Sequence, residues 1–241
     1  MLSFPLNATI ERRLLLNYRA DPDVVARVLP APFRPHLRKG YAVVGICLLR
    51  LGRTRPAGLP LGVGFGSENA AHRFAVDWDS SAGPGRGLFL ARLDSASRLN
   101  VVAGGRLFPG VHHRAEFDVD ERPDRLRVAY STSDLSTAVD VEVGMADELV
   151  GSALFDDVDD ASEFFRLGSA GYSAGREPDE FEGMDLGTTG RIEPCVVDRA
   201  ASSFYDDRTI FPAGSIELDS ALVMRGVPAR WTSLVPLQVQ R

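Results

Sequence analysis

The sequence contains almost no lysine. Lys39 is the single lysine in a chain of 241 residues, so the 27 basic side chains comprise one lysine and 26 arginines (27 minus 1). Lys39 lies in the polar turn at residues 37–40, where an exposed and fully protonated amine is expected. Because a catalytic Schiff base needs a neutral amine, amine-based covalent catalysis is not predicted for this chain.

Cysteine is also scarce. Cys47 lies within an apolar run and Cys195 is far away in the sequence. The two therefore lack the paired spacing of a zinc site or of a redox motif. We interpret both as structural thiols in a reducing cytoplasm.

Long apolar runs and an excess of positive charge are missing too. The longest apolar run, residues 41–49, is about half as long as a membrane helix requires. The first ten residues have no basic segment followed by a long apolar stretch, so they do not resemble a secretory signal. A net charge of -6 argues against nucleic acid or an anionic membrane as a partner. We expect a soluble, cytoplasmic protein.

Motifs of nucleophilic and phosphate-binding enzymes are not found. The sequence has no Gly-x-Ser-x-Gly elbow, and neither cysteine lies in an activating motif. The glycine-rich segment 62–66 contains no lysine and precedes a strand, which argues against a phosphate-binding loop. We interpret this segment as a loop that can lie across the mouth of a pocket.

The sequence does contain the alternation of apolar and polar residues that is typical of β-strands, and 44% of its residues are hydrophobic. The predicted strands include residues 11–18, 41–51, 67–78, 88–93, 125–132 and 135–143. Residues 52–66 are predicted to form a long loop. A helix should begin after Asp21 and end near Leu29, and shorter helices should end at Gly104 and Gly168. Without a long linker, the pattern predicts one β-rich α+β domain over residues 1–241.

Residues 104–117 are the first candidate for a functional site. Two glycines allow a tight turn, Arg106 follows them, and Pro109-Gly110 makes a second turn. The next strand then carries two of the four histidines. Side-chain alternation assigns His113 to the inward face of this strand and His112 to the solvent-facing side.

The strand at residues 67–78 adds Glu68 and His72 on its apolar face. Apolar surroundings raise the pKa of a carboxyl group toward the range of general acid–base catalysis, and an arginine holds a carboxylate through paired hydrogen bonds. Glu68 and His113 are thus candidate catalytic residues, while Arg106 and His72 are candidate substrate-binding residues. Structural alternatives remain open, namely an ion pair for Glu68 and a hydrogen-bonded core position for each histidine.

A metal site is not predicted, and no cofactor is expected. Glu68 and His72 lie four residues apart, which is about 13 Å along a strand at ~3.3 Å per residue. Their side chains are therefore too far apart to bind one ion without a bulge. The acidic run 156–160 lacks the ligand spacing and central glycine of a calcium loop, so it is interpreted as the start of a helix.

Four segments, residues 29–35, 40–45, 67–73 and 105–113, together resemble the uncharacterised YqjF-like family. That family is thought to share the fold of acetoacetate decarboxylase, and the resemblance covers most of the chain. It implies a mainly antiparallel, closed or nearly closed β-barrel with a few flanking helices. It also implies a small-molecule cavity inside.

The resemblance extends to some site residues but not to the catalytic lysine. In acetoacetate decarboxylase a glycine–arginine turn precedes the strand with the Schiff-base lysine, and a glutamate comes from an earlier strand. Arg106 matches that arginine, and Glu68 matches the glutamate. The positions around the lysine are His112, His113 and Arg114 in this sequence. Decarboxylation through an amine is therefore not implied.

Two functions remain open. The first is a binding protein for a small anionic or oxygenated compound, such as a carboxylate. The second is a lyase- or hydrolase-type enzyme that uses Glu68 as acid or base and Arg106 as the carboxylate anchor. A purely structural role is less favoured, because inward polar groups are costly without a partner. The sequence is compatible with a homo-oligomer.

Overall fold

A computed structural model describes residues 5–58, 64–80, 83–104, 109–175, 177 and 180–238. Within these residues the helices are α1 (Pro22–Val28), α2 (Arg98–Ala103) and α3 (Val158–Leu167). The strands are β1 (Leu6–Ala20), β2 (Arg34–Pro35), β3 (Leu37–Arg38), β4 (Tyr41–Pro56), β5 (Phe65–Ser80), β6 (Gly83–Ser95), β7 (His112–Glu121), β8 (Arg125–Thr132), β9 (Ala138–Met145), β10 (Ala170–Ala174), β11 (Glu180–Thr188), β12 (Glu193–Ser202), β13 (Ile216–Ser233) and β14 (Leu237–Gln238). They form a single 14-stranded sheet.

The helices begin and end where the sequence provides capping residues. The carboxylates of Asp21 and Asp157 accept hydrogen bonds from backbone N–H groups in the first turns of α1 and α3, and the Ser97 hydroxyl does the same for α2. Helix α3 ends at Gly168. The prediction for α1 is confirmed. In the described part of the chain, no helix is long and apolar enough to cross a membrane.

The sheet closes on itself at two places. Strand β11 pairs with β13, and β5 pairs with β6. These pairings produce a smaller ring, made of β1, β4, β5, β6, β10, β11 and β13, and a larger ring that runs through β7, β8, β9 and β12. The described pairings are antiparallel except those of β6 with β7 and with β10. The expectation of a strand-rich, mainly antiparallel fold is confirmed.

The strands shared by the two rings are buried on both faces. One apolar cluster lies on the side of the larger ring and includes Leu14, Leu16, Val44, Ala115, Val128 and Val141. A second cluster covers the opposite face and includes Leu15, Cys47, Ala75, Leu88, Phe165 and Met224. Adjacent residues of β1, β4 and β5 therefore point into two different interiors.

The loop predicted at residues 52–66 is shorter in the structure. Strand β4 continues to Pro56, β5 begins at Phe65, and Thr54 pairs with Phe65 after a register shift. The shift interrupts the regular alternation, and it comes in a stretch rich in glycine and arginine. The alternation pattern therefore does not predict that β4 continues to Pro56.

The hydroxyl group of Tyr205 joins β4 to β5 in the interior. It accepts a hydrogen bond from the backbone N–H of Gly45 at 3.0 Å. It also lies 2.8 Å from the Gly45 carbonyl oxygen and 3.1 Å from that of Arg73. A side chain at Gly45 is excluded, because its Cβ would come within 2.1 Å of the Leu16 carbonyl oxygen. Tyr205 and Gly45 thus fix the backbone that carries Arg73.

We expect Tyr205→Phe to lower the free energy of unfolding by about 1–3 kcal/mol, because it leaves buried backbone groups without their hydrogen-bond partner. Urea denaturation measures the change. Tyr41→Phe is the matched control, since Tyr41 is exposed. Equal effects of the two substitutions would contradict the bridging role.

Candidate functional site

A cavity of about 630 Å³ lies within the smaller ring. All seven strands of that ring contribute to its walls, and helix α3 covers one side. The lining is largely apolar and includes Leu49, Leu90, Phe165, Leu186, Met224 and Trp231. Its size lies in the usual range of small-molecule sites.

Arg73 is a deeply buried charged group of this cavity, with 1% of its surface exposed. Its guanidinium lies over the ring of Phe165, 4.7 Å from the ring centre, and donates one hydrogen bond to the side-chain oxygen of Asn17. Two further nitrogens, Nε and Nη1, are buried with no hydrogen-bond partner among the described residues. No described carboxylate forms an ion pair with this arginine.

The neighbouring residues Arg12 and Arg13 project from β1 to opposite faces. On the side of the larger ring, Arg12 pairs with Glu68 at 2.5 Å and with Glu121 at 3.1 Å. On the cavity side, Arg13 is 9% exposed, its Nε is buried without a partner, and it has no ion pair within the described residues. A protein carboxylate thus neutralises Arg12, whereas Arg13 is left uncompensated.

The guanidiniums of Arg13 and Arg73 repel each other electrostatically. Burial lowers the pKa of Arg73 to about 10, and Arg13 contributes to the lowering, whereas Cys47 opposes it. Cys47 lies between them in the sheet, opposite Leu15 on β1 and Ala71 on β5. Arg73 remains charged at neutral pH, so the cavity holds two buried positive charges.

The acidic groups at the cavity wall do not compensate these charges. Asp94 is bound by Arg92 at 3.0 Å and by the Tyr130 hydroxyl at 3.0 Å. Glu163 pairs with Arg166 on the exposed side of α3. Asp159 is exposed in the first turn of the same helix. The positive charges therefore face an interior without a described counterion.

Uncharged polar groups line another part of the cavity. Asn69 accepts hydrogen bonds from the Ser95 hydroxyl at 2.7 Å and from the Asn100 amide at 3.0 Å. Thr54 and Ser173 also line the cavity, and their hydroxyl oxygens are buried without a hydrogen-bond partner among the described residues.

Glu68 lies outside this cavity. Its side chain is 17% exposed, it pairs with Arg12, and it borders a separate depression that also contains Glu11 and Arg50. Burial raises the pKa of Glu68, while the charges of Arg12 and Arg50 oppose the rise. These contacts match the structural ion pair that the sequence leaves open as an alternative role for Glu68. Its catalytic role stays a prediction.

His72 is fully buried on the same side of β5 as Glu68. Its Nε2 lies 3.4 Å from the Ser202 hydroxyl, and its ring packs against Phe204 and Tyr205 with centres 4.8 and 5.6 Å away. Burial, followed by the charge of Arg92, lowers the pKa of His72 to about 3. The ring is therefore neutral at physiological pH. Its substrate-binding role also stays a prediction.

The assignment of His112 to the solvent-facing side is wrong. Both His112 and His113 are partly buried, because both faces of β7 are covered at this end. Of the two, His112 lines the cavity, whereas His113 shares the side of Ala115 in the other core cluster. Burial lowers the pKa of His112, and its Nδ1 donates to the Gly110 carbonyl oxygen at 3.2 Å. The basic nitrogen of the neutral ring is therefore Nε2.

Arg106 lies outside the described residues, so its role as an anion anchor stays a prediction. Lys39 is in the exposed turn expected for it, and its Nζ pairs with Asp156 at 2.7 Å. Among the described residues, no three histidine, cysteine, aspartate or glutamate side chains are grouped as a metal site requires. Glu68, His72 and His113 share one side of the sheet, but the cavity lies on the other.

Residues 7–168, about two thirds of the chain, match the model of a family described as an uncharacterized conserved protein, DUF2071. The chain belongs to the DUF2071 family. No protein with curated annotation is significantly similar to this DUF2071 chain in sequence.

Several solved structures share the fold. Acetoacetate decarboxylase from Legionella pneumophila has a TM-score of 0.62 at 12% identity, with 95% of this chain and 87% of that chain covered. An acetoacetate decarboxylase-like enzyme from Sphingomonas wittichii has a TM-score of 0.63 at 12% identity, with 98% and 93% covered. The enduracididine biosynthesis enzyme MppR in complex with pyruvate has a TM-score of 0.61 at 12% identity, with 100% and 91% covered. The DUF2071 chain thus has an acetoacetate decarboxylase-like fold.

Sequence reasoning missed Arg13 and Arg73. Alternation assigns Arg73 to the polar face of β5, which suits a solvent-exposed surface as well as a cavity wall. A signal does exist at Arg13, because it directly precedes the apolar run Leu14-Leu15-Leu16 and therefore lies in a buried strand. Only the closed ring shows that both arginines face one cavity.

We expect His72 to make this DUF2071 protein sensitive to acid. The unfolded chain binds a proton at His72 below the ordinary pKa of 6.5, whereas the folded chain binds it only below about 3. Stability should therefore fall as the pH drops through this window. Between pH 7 and pH 5, the free energy of unfolding of the wild type should fall by about 2 kcal/mol more than that of His72→Leu. Urea denaturation at both pH values measures the difference. A difference from the wild type that does not change with pH would contradict a buried, neutral ring.

Proposed function

We propose that this protein binds a small organic anion, best matched by a carboxylate, in the cavity of the smaller ring. Arg13 and Arg73 are its anchors. The observation that carries the proposal is the presence of two buried guanidiniums without a carboxylate partner in the described chain. Burial of a charge is costly unless it is paired, and the ligand supplies the pairing.

The contrast between Arg12 and Arg13 supports the proposal. Both occur on one strand and both are at most 9% exposed, but among the described residues carboxylates pair with Arg12 and not with Arg13. A guanidinium presents several N–H donors in a plane and matches the two oxygens of a carboxylate. Two Arg73 nitrogens have no hydrogen-bond partner among the described residues, and the guanidinium lies over the Phe165 ring. MppR, which shares the fold, has been solved with the carboxylate pyruvate.

Turnover of the ligand is the second candidate function. Its support is His112, which lines the cavity and whose lowered pKa favours the neutral, basic ring. In this reading His112 is the acid–base group and the arginines hold the substrate. The assignments of Glu68 and His113 as catalytic groups, and of Arg106 as the anchor, stay predictions.

We expect Arg13→Met and Arg73→Met to weaken carboxylate binding at least tenfold, because each removes a hydrogen bond to a charged group. The test is calorimetric titration of benzoate, with benzamide as the neutral ligand. Arg122→Met is the control, since Arg122 is exposed and pairs with Asp120.

The same two variants separate ligand binding from a structural role. Without ligand, their free energy of unfolding should stay level or rise, because an unpaired buried charge has been removed. Lower stability together with unchanged benzoate affinity would contradict the proposal and would make these arginines structural.

We also expect no side-chain adduct when the protein is treated with pyruvate and borohydride. Lys39 is the single side-chain amine; it pairs with Asp156 and does not line the cavity, whereas a Schiff-base amine must lie beside the bound ligand. Intact-protein mass spectrometry followed by peptide mapping distinguishes Lys39 from the α-amino group. A stable adduct on Lys39 would restore amine-based catalysis.

A further inference from the structure

The cavity is much larger than a small acid requires. Its volume is about 630 Å³, whereas one water molecule occupies about 30 Å³ in the liquid. An anion of four or six heavy atoms at these arginines would leave most of this space unfilled. The two arginines account for the binding of an anionic group, but they do not account for the remaining volume of the cavity.

The two guanidiniums lie toward one end of the cavity, and the opposite end is lined mainly by apolar side chains together with Thr54. Arg73 lies opposite Gly45 on β4, and Gly45 lies opposite Asn17 on β1. Toward the other end of β1, Leu6 lies opposite Trp231, which in turn lies opposite Leu186 on β11. The strand registers therefore separate the guanidinium end from an apolar end.

The distance between these ends suits an extended ligand. Arg13 and Leu6 are seven residues apart on β1, which corresponds to at most about 23 Å at ~3.3 Å per residue. The walls along this path include the side chains of Leu49, Leu51 and Met224. Burial of a hydrocarbon chain along such walls is favourable at each added methylene group.

We infer that the ligand is an amphiphilic carboxylate, with its head on Arg13 and Arg73 and a medium-length apolar body directed toward Leu186 and Trp231. The inference rests on the proposed function, because it uses the same arginines as anchors. It adds the chemical class of the ligand and its direction in the cavity.

The test is calorimetric titration of acetate, butanoate, hexanoate and octanoate. We expect the dissociation constant to fall about threefold to fourfold for each added methylene group. Octanamide has the same chain without the charge and should bind at least tenfold more weakly than octanoate. Arg73→Met should abolish this preference for octanoate over octanamide.

A variant at the apolar end tests the direction of the ligand. Leu186→Trp places a larger side chain there and should weaken octanoate binding at least tenfold while leaving acetate binding unchanged. Val196→Trp is the control, since Val196 is exposed. If Leu186→Trp fails to fold, Leu51→Phe carries the same test at the next position along the cavity.

The outcomes separate the two proposals. Equal affinities for acetate and octanoate in the wild type would overturn the amphiphile and leave the anion site intact. Equal affinities for octanoate and octanamide would overturn the assignment of the carboxylate head to the arginines. Failure of every carboxylate to bind would overturn both this inference and the proposed function.

Discussion

Strands β1, β4 and β5 are shared by two closed rings, and this sharing decides which interior each of Arg12, Arg13 and Arg73 faces. A strand covered on both faces has no solvent-exposed side to which a polar residue can be assigned. Arg12 and Arg13 are adjacent on β1 and project into two interiors of different composition. In one interior the guanidinium meets Glu68 and Glu121. In the other interior the Arg13 side chain lines the cavity.

The two interiors differ in whether their buried charges have a partner within the described chain. On the side of the larger ring the charged groups compensate each other, and His72 is held neutral among aromatic rings. On the cavity side Arg73 is restrained by Phe165 and Asn17 but not neutralised. A guanidinium that is held in place but has no carboxylate partner is preorganised for a ligand, because little conformational entropy is lost on binding.

The fold family accommodates different chemistry in one framework. The neighbours of known structure include acetoacetate decarboxylase and MppR, and the similarity to them at 12% identity concerns the fold. The DUF2071 chain has histidines where the resemblance implies a lysine, and His112 is the one of the pair that lines the cavity. Within such a framework, function follows from the side chains that face the cavity.

The sequence by itself determined the strand-rich class, the capped helix α1, the strands β5 and β8, and the exposed position of Lys39, because these follow from local alternation and capping. It also assigned Glu68, His72 and His113 to one side of the sheet. Only the tertiary structure decided that a second interior exists behind them. Alternation reports which residues share a face, but the covering of that face by β10, β11 and α3 depends on contacts between residues far apart in the chain. Arg13 and Arg73 acquire their environment from those contacts.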